Sequence, residues 1–317
     1  MKIVVIGGTG HVGTYMVPRL IEAGHQVTAV SRGHREAYRQ HPAWKKVKNV
    51  VINKEKEEAE GTFGKKILDL KPDAVIDMIC FTPESARQLV EALKGKVQHM
   101  LFCGTIWIHG YSVTAPTAEG QGLNPFGEYG VQKAAMTGYL LKESRVNNLP
   151  ITVLHPGHIV GPGWNPINPL GNFNPRIFTA LARGSTVHFP TLGLETVHHV
   201  HADDVARIFV ESLTNWNNAS GEDFHVVSGA AVTLRGYAET VASWFNKKAD
   251  LRFSAGEEWK EGFSEEDIEY SWAHIQHSSN CSMEKAKKYL GFRPRYTSFE
   301  AIYESLTWLI DNNVVKP

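Results

Sequence analysis

The chain has 317 residues, 42% of them hydrophobic, which suits one large domain or a two-lobed unit with a sizeable core. Its 33 basic residues balance 33 acidic ones, so no net charge attracts nucleic acid or an anionic membrane. Three widely spaced cysteines, no signal-peptide pattern and no long apolar run lead us to expect a cytoplasmic protein without disulfides or membrane spans.

The first predicted elements are a strand, a glycine turn and a helix. The strand Lys2–Ile6 is followed by the turn Gly7-Gly-Thr-Gly-His-Val-Gly13 and by a helical pattern over residues 14–23. In such an arrangement the glycines permit a tight turn and close approach of the backbone, and the positive helix terminus faces an anion. The order predicts a site for the pyrophosphate of a dinucleotide, formed by Gly7, Thr9, Gly10, His11, Val12 and Gly13.

The second predicted strand, over residues 27–30, indicates which dinucleotide binds. It is followed by Ser31 and Arg32, where NAD-binding proteins usually carry a carboxylate for the adenosine ribose. Arg32, and with it Arg35, has the charge to bind a 2′-phosphate. We therefore predict that Ser31 and Arg32 bind cofactor, with NADP preferred and NAD as the alternative, although a surface arginine is often only solvated.

Further apolar, β-branched runs follow at residues 47–52, 74–79, 99–103 and 151–155, with helical patterns between most of them. This alternation is typical of a parallel sheet covered on both faces. A Pro-, Gly- and Asn-rich loop at 161–175 precedes a predicted helix near Arg176–Arg183. A strand near 198–201, a helix capped by Asp203 or Asp204, a strand near 223–227 and a mostly helical end complete the chain.

These elements predict an α/β fold: a Rossmann-type doubly wound parallel sheet with a smaller, mostly helical C-terminal substrate lobe. Residues 1–160 would form the dinucleotide-binding domain, with return segments near 195–230. Residues 161–194 and 231–317 would form the substrate-binding lobe.

Tyr129 and Lys133 carry the second chemical pattern, at the start of a predicted helix. Their i, i+4 spacing places both on one helix face. A lysine ammonium beside a phenol favours the phenolate, as does the positive ring of an oxidised nicotinamide. Tyr129 is therefore a candidate general base, although this spacing is common by chance.

Together these motifs resemble the extended short-chain dehydrogenase/reductase family, in its NAD-dependent epimerase/dehydratase group, over nearly the whole chain. Residues 7–13 resemble its cofactor fingerprint, and Tyr129 with Lys133 its catalytic pair. Residues 101–110 look like its fifth strand, which places Thr105 as the catalytic Ser/Thr. Residues 155–163 are similar to the segment near the nicotinamide, which implies cofactor contacts at His155 and Gly157. Residues 282–291 resemble the C-terminal signature of the extended members.

The resemblance implies a chemistry for the three catalytic candidates. Tyr129 would exchange a proton with a substrate hydroxyl while hydride passes to or from the nicotinamide. Thr105 would hydrogen-bond the same oxygen, and Lys133 would hold the nicotinamide ribose. Without the other two residues, Thr105 would be simply a β-branched strand residue. Members of the family are often dimers, so we expect a homodimer.

Two departures from the family narrow the expected substrate. Dehydratases carry acidic residues just after the catalytic Thr, whereas this chain has Ile106 and Trp107, so epimerisation or net reduction is favoured. Arginines that bind a substrate diphosphate have no counterpart at Val197 or within 274–280. A small carbohydrate-like substrate is therefore expected, and the residues predicted to contact it are Trp107, Trp164, Asn165 and Arg176.

Three functions stay open at this point. The first is an epimerase or oxidoreductase acting on a sugar or sugar nucleotide. The second is an NADPH-dependent reductase of a non-sugar carbonyl compound. The third is an inactive nucleotide-sensing or RNA-binding module, against which the neutral charge and the intact catalytic set argue. His199 and His201 share a strand face, but no third ligand is fixed by spacing, so we predict no metal site.

Overall fold

The computed structural model describes residues 1–34, 36–254 and 256–317; the candidate Arg35 lies outside the described residues. Its strands are β1 (Lys2–Ile6), β2 (Gln26–Ser31), β3 (Lys48–Val51), β4 (Ala74–Asp77), β5 (His99–Cys103), β6 (Ile151–Pro156), β7 (His158–Val160), β8 (Thr186–Phe189), β9 (Thr196–Val197), β10 (His199–His201), β11 (Asp223–Val226), β12 (Val232–Thr233) and β13 (Asp250–Phe253).

Helices connect most of these strands. They are α1 (Gly13–Glu22), α2 (Lys54–Ala59), α3 (Phe63–Asp69), α4 (Pro83–Leu93), α5 (Gly127–Asn147), α6 (Arg176–Arg183), α7 (Ala202–Thr214), α8 (Trp216–Ala219), α9 (Leu234–Trp244), α10 (Glu265–His277), α11 (Glu284–Leu290) and α12 (Ser298–Asp311). Within the described ranges, no helix has the length and apolar character required to cross a membrane.

Seven parallel strands form the central sheet, in the order β11-β6-β5-β4-β1-β2-β3. Along β1, Ile3 and Val5 pack on one face with α1, α7 and α11, while Val4 and Ile6 pack on the other face with α3, α4 and α5. Side chains alternate between faces along a strand, so a strand covered on both sides must be apolar at every position. The predicted doubly wound α/β fold is thereby confirmed.

The strand order reverses between β1 and β4, because the chain runs outward through β2 and β3 and then returns to the other side of β1. Loops after the neighbouring strands diverge at such a switch point and leave a crevice at the carboxyl ends. The glycine turn after β1 and the Thr105 segment after β5 both open into this crevice. The topology therefore brings together motifs that lie about a hundred residues apart.

One helix start differs from its prediction. Helix α7 was expected to be capped by Asp203 or Asp204, but its N-cap is His201, whose Nδ1 accepts a hydrogen bond from Asp203 N at 3.0 Å. Asp204 accepts instead from the backbone of Arg295 and Tyr296. Imidazole is an uncommon cap, which is why the acidic residues looked like the better candidates.

A second core lies outside the sheet. It joins apolar residues of α6, α9 and α12 to the loop around Ile167 and Leu170. Residues 281–292, which the sequence assigned to the substrate lobe, pack instead in the first core beside β11, through Met283, Ala286 and Phe292. The helical C-terminal part is therefore shared between the sheet and the second core.

Candidate active site

The glycine turn is as tight as its sequence suggested. Gly7 has a φ of +82°, and a Cβ on Gly13 would lie 2.1 Å from the carbonyl oxygen of Gly8. A Cβ on Gly10 would lie 3.1 Å from the Gly7 oxygen. Only glycine therefore fits at position 13, and helix α1 begins directly against the turn, with its amino end at the crevice.

A cavity of about 690 Å³ occupies the crevice. Most of the predicted site residues line it: Gly7, Thr9, Gly10, His11, Val12, Gly13, Thr105, Trp107, Tyr129, Lys133, Gly157 and Trp164. The described residues that were predicted for the site but do not line this cavity are Ser31, Arg32, His155, Asn165 and Arg176. The structure thus gathers the glycine turn and the catalytic candidates around one space.

Lys133 is held almost entirely by main-chain carbonyls. Its side chain projects from α5 and is 1% exposed, and Nζ donates hydrogen bonds to the oxygens of Cys80 and Cys103, each at 2.7 Å. Nζ also lies 4.7 Å from the ring centroid of Phe81 and 5.9 Å from that of Tyr129. An ammonium has three protons, so one donor remains for a ligand in the cavity.

Tyr129 lies one turn before Lys133 on α5, as the spacing predicted. The residue is 43% exposed overall, yet burial of its hydroxyl end raises the pKa of Tyr129 to about 12, against a lowering effect of the Thr105 hydroxyl. The sequence suggested that Lys133 would lower this pKa. In the protein without cofactor, the effect of burial on the Tyr129 pKa is the larger one, so Tyr129 is a neutral phenol.

Thr105 is fixed from behind by a buried histidine. His155 is fully buried, and its Nδ1 accepts a hydrogen bond from Thr105 N at 3.1 Å. Its Nε2 lies 3.4 Å from Asp223 Oδ2, and Lys285 Nζ donates to the other oxygen of Asp223 at 3.0 Å. His155 was predicted as a cofactor contact; the structure instead places its side chain in the core beneath the catalytic strand.

A smaller cavity of about 300 Å³ adjoins the larger one at Thr9 and Glu36, which line both. We call it the adenosine end of the crevice, because the sequence predicts the adenosine ribose beside Ser31. Ser31 lines this smaller cavity, whereas Arg32 is exposed and lines neither. Arg39 lines it instead. The sequence found no carboxylate at the end of β2, but Glu36 stands in the loop a few residues further on.

An aromatic contact lies across the glycine turn. The rings of His11 and Trp164 stack with centroids 4.9 Å apart, and His11 also stacks on Tyr38 at 5.6 Å and hydrogen-bonds its hydroxyl. A Cβ on Gly163 would lie 2.4 Å from the Tyr38 ring, so the loop after β7 approaches closely. Residues of three distant segments thus meet at the mouth of the cavity.

Four histidines cluster with Trp107, and we call this cluster the histidine wall: Trp107, His158, His199, His274 and His277. Of these, Trp107, His158 and His274 line the cavity. The Trp107 ring stacks on His277 at 4.0 Å, and the His158 and His274 rings lie 4.7 Å apart. Burial lowers the pKa of His274 and of His277 to about 4, that of His199 to about 3, and that of His158 well below its usual value. This wall is uncharged near neutral pH.

Of this wall, the sequence predicted only Trp107 as a site residue, and it did not indicate that the five residues meet. His274 and His277 are spaced i, i+3 on α10 and share a helix face, which was the available signal. Other cavity residues that the sequence did not predict include Tyr38, Phe81 and Tyr270. Among the described residues, no group of three or more His, Cys, Asp or Glu side chains is placed to hold a metal ion.

Two substrate candidates lie away from the cavity. Arg176 starts α6 and is exposed; its guanidinium donates to the carbonyl oxygens of Gly262 and Glu261 and stacks on the Phe263 ring at 3.8 Å. Asn165 is exposed in the loop after Trp164. Arg176 therefore ties α6 to the segment that precedes α10.

Comparisons with known proteins agree with this geometry. The NAD dependent epimerase/dehydratase family model matches residues 3–226. The chain belongs to this family and is an enzyme of it, which confirms the resemblance drawn from the sequence. The family is NAD-dependent by its description, which agrees with the dinucleotide predicted for the glycine turn.

Three of the similar proteins have names that describe different functions. The chloroplast stem-loop binding protein of 41 kDa b of Arabidopsis thaliana is 26% identical, over 96% of this chain and 78% of its own length. The 2′-dehydrokanamycin reductase of Streptomyces kanamyceticus is 29% identical over 43% of this chain and 36% of its own. The crystal structure of a UDP-glucose 4-epimerase from Thermotoga maritima has a TM-score of 0.75 at 21% identity, covering 99% and 100% of the two chains.

Proposed function

We propose that this family member is an NAD(P)-dependent epimerase or oxidoreductase that acts on a hydroxyl of a sugar or sugar nucleotide. The observation that carries the proposal is the meeting of Tyr129, Lys133 and Thr105 in one cavity with the glycine turn. In this assignment Tyr129 is the general acid and base, Thr105 donates a hydrogen bond to the reacting oxygen, and Lys133 holds the cofactor ribose.

The glycine turn fits a dinucleotide on structural grounds, because a Cβ at Gly13 has no room and the amino end of α1 points into the crevice. When bound, the cofactor supplies the hydride exchange and, in its oxidised form, a positive charge. Because burial leaves Tyr129 a neutral phenol in the protein alone, we expect its phenolate to form only with oxidised cofactor in place.

We propose NADP as the preferred cofactor, with NAD as the alternative. Arg39 and Ser31 line the adenosine cavity and offer a cation and a hydroxyl to a 2′-phosphate. Glu36 acts the other way, because a carboxylate favours ribose hydroxyls over a phosphate. The selectivity is the balance of these groups.

The charge of the cavity argues for a substrate without phosphate groups. Among the described residues, Lys133 is the only lysine or arginine that lines the larger cavity. Two of its three ammonium protons are already donated to carbonyl oxygens. The histidine wall is uncharged, and a diphosphate there would lose its hydration without a free cation to replace it. We therefore favour a neutral sugar or glycoside over a nucleoside-diphosphate sugar.

Cofactor retention tests whether the reaction is epimerisation or net reduction. An epimerase must keep its cofactor through oxidation and re-reduction, so the purified protein should release NADP or NAD on denaturation, as identified by mass spectrometry. An empty site, with strict dependence on added NADPH, would rule out epimerisation.

Net reduction of a carbonyl compound is the second candidate. The relative from Streptomyces kanamyceticus is named a reductase, and Arg39 in the adenosine cavity suits an exchanging NADPH. A decrease in NADPH absorbance with a non-sugar ketone or aldehyde, and none with a keto sugar, would favour reduction of a non-sugar carbonyl compound.

RNA binding is the alternative of another class, and the family membership of the chain as an enzyme counts against a module without catalysis. The Arabidopsis relative is named a stem-loop binding protein. Four lysines line a cavity of about 550 Å³ at the amino ends of β1 and β2: Lys2, Lys46, Lys48 and Lys71. The catalytic set favours the enzyme, so we expect no shift of a labelled RNA hairpin at about physiological salt.

We also expect a homodimer, which sedimentation velocity would measure.

A further inference from the structure

A buried ion pair next to the catalytic lysine takes no part in the chemistry proposed above. Lys54 on α2 places Nζ 2.7 Å from Asp77 Oδ2 at the end of β4, and the two side chains are only 9% and 1% exposed. Removing two charges from water costs several kcal/mol per ion, which their attraction offsets only in good geometry. A buried ion pair is therefore weak evidence for a role in stability, and the groups that surround it indicate what else it does.

The pair holds the loop that follows β4. Asp77 Oδ1 accepts a hydrogen bond from Ile79 N at 2.9 Å, and Lys54 Nζ donates to the Ile79 oxygen at 3.0 Å. The next carbonyl oxygen along the loop, that of Cys80, accepts from Lys133 Nζ at 2.7 Å. Two ammonium groups, one from α2 and one from α5, therefore bind consecutive carbonyls of one loop.

The Asp77 carboxylate interacts electrostatically with both ammonium groups, those of Lys54 and Lys133. Burial lowers the pKa of Lys133, while the nearby thiols and Asp77 raise it and Lys54 lowers it. Burial raises the pKa of the Cys80 thiol to about 12 and also raises that of Cys103, so neither thiol is charged near neutral pH. The titratable groups around Lys133 in the described structure are Lys54, Asp77, Cys80, Cys103 and Tyr129. Glu58 Oε1 also lies 3.7 Å from Lys54 Nζ, and Asp77 is the carboxylate that raises the pKa of Lys133.

We propose that Lys54 and Asp77 are positioning residues for Lys133. The pair fixes the loop of residues 78–82 that carries the Cys80 carbonyl, and Asp77 supplies the negative charge that keeps the Lys133 ammonium protonated for the cofactor ribose. This inference rests on the proposed function, since it assigns Lys133 a role in cofactor binding.

Opposite charge changes at the two positions test the proposal. NADPH binding is followed by the fluorescence of the bound nicotinamide between about pH 7 and about pH 10.5, where the loss of affinity reports deprotonation of Lys133. Asp77→Asn removes the counter-charge, so the alkaline loss of affinity should move to lower pH by about one unit. Lys54→Gln keeps an amide donor for the loop and removes a positive charge, so the loss should move to higher pH.

Damage to the loop alone would weaken binding at every pH and would not produce shifts of opposite sign. Shifts in the same direction, or none, would overturn the proposal. If Asp77→Asn does not fold, the shift of Lys54→Gln and its partial return in the double variant Lys54→Gln/Asp77→Asn decide the question.

A matched control uses another ion pair of α2. Lys66 Nζ lies 2.6 Å from Glu57 Oε1 and links α3 to α2, with the lysine half exposed. Glu57→Gln/Lys66→Gln should leave the alkaline loss of NADPH affinity unchanged. If the unaltered protein binds neither NADPH nor NADH at any pH, the proposed function fails, and this inference fails with it. Cofactor binding without the opposite shifts would sink the inference alone.

Discussion

The two ends of the crevice are built in different ways. At the catalytic end, Thr105 and Lys133 are buried and hydrogen-bonded to main-chain groups or to a core histidine. At the adenosine end, Arg32 is exposed, and the two charged residues that line the small cavity, Glu36 and Arg39, come from the loop after β2. In the proposed function, sheet and helix hold the catalytic groups, whereas cofactor selectivity would depend on a surface loop.

Acid should destabilise the protein through its buried histidines, several of which belong to the catalytic end. Three histidines of its wall, His199, His274 and His277, have folded-state pKa values of about 3 to 4, below the ordinary 6.5. The unfolded chain then binds more protons than the folded one, so stability is lost as pH falls below about 6.5. Each histidine contributes roughly 1.4 kcal/mol per pH unit to that loss. Urea unfolding at several pH values from about 7 to about 4.5 measures it.

One substitution checks this assignment. The His277 ring lies between Trp107 and Phe126, at 4.0 Å from each centroid, so His277→Phe suits the apolar surroundings. It should reduce the acid slope by about one proton, and the exposed His34→Gln should not. Equal slopes in all three proteins would contradict a role of the buried wall.

Tyr129→Phe removes the proton from the catalytic end and leaves its packing intact. We expect turnover to fall by about 10² to 10⁴, as for loss of a general acid–base group, with nearly unchanged cofactor affinity. Steady-state kinetics and NADPH fluorescence titration measure the two quantities. Full activity in the variant would remove Tyr129 from the mechanism.

The adenosine end calls for a paired test of its arginines. If Arg39 binds a 2′-phosphate, Arg39→Ala should weaken NADPH binding by about 2 to 3 kcal/mol and barely change NADH binding. Arg32→Ala should have the smaller effect, because Arg32 lines neither cavity. A larger loss for Arg32→Ala would return the role to the residue that the sequence indicated.

The complementary change is Glu36→Gln at the junction of the two cavities. If this carboxylate binds ribose hydroxyls, NADH affinity should fall and NADPH affinity should hold or rise. Titration of both nucleotides with the same protein preparation gives the ratio directly. An unchanged ratio would show that Glu36 does not contribute to selectivity.

The sequence predicts those parts of each end that lie within one short segment of the chain. The glycine turn and the Tyr129–Lys133 pair are short patterns on single elements, and each was placed correctly on its strand, turn or helix. Of the histidine wall, only Trp107 was predicted, because its contacts join distant segments that the fold brings together: Trp107 with His277, and His158 with His274. Glu36 was missed because the loop, not the strand, turns it into the cavity.

The smallest expected effect concerns the support beneath Thr105. His155→Leu would leave the Thr105 N–H without its buried acceptor and Asp223 without its histidine neighbour, so we expect a loss of about 1 to 3 kcal/mol of stability. His155→Asn is the matched control, because the Asn side-chain oxygen can take the place of Nδ1 and accept from the same N–H. Urea unfolding measures the stability. A fall in kcat with an unchanged KM would show that Thr105 has moved from its catalytic position. If Leu and Asn behave alike, the hydrogen bond to Thr105 has no measurable role, and His155 serves only to fill the space against Gly104, where a Cβ would lie 2.1 Å from its ring.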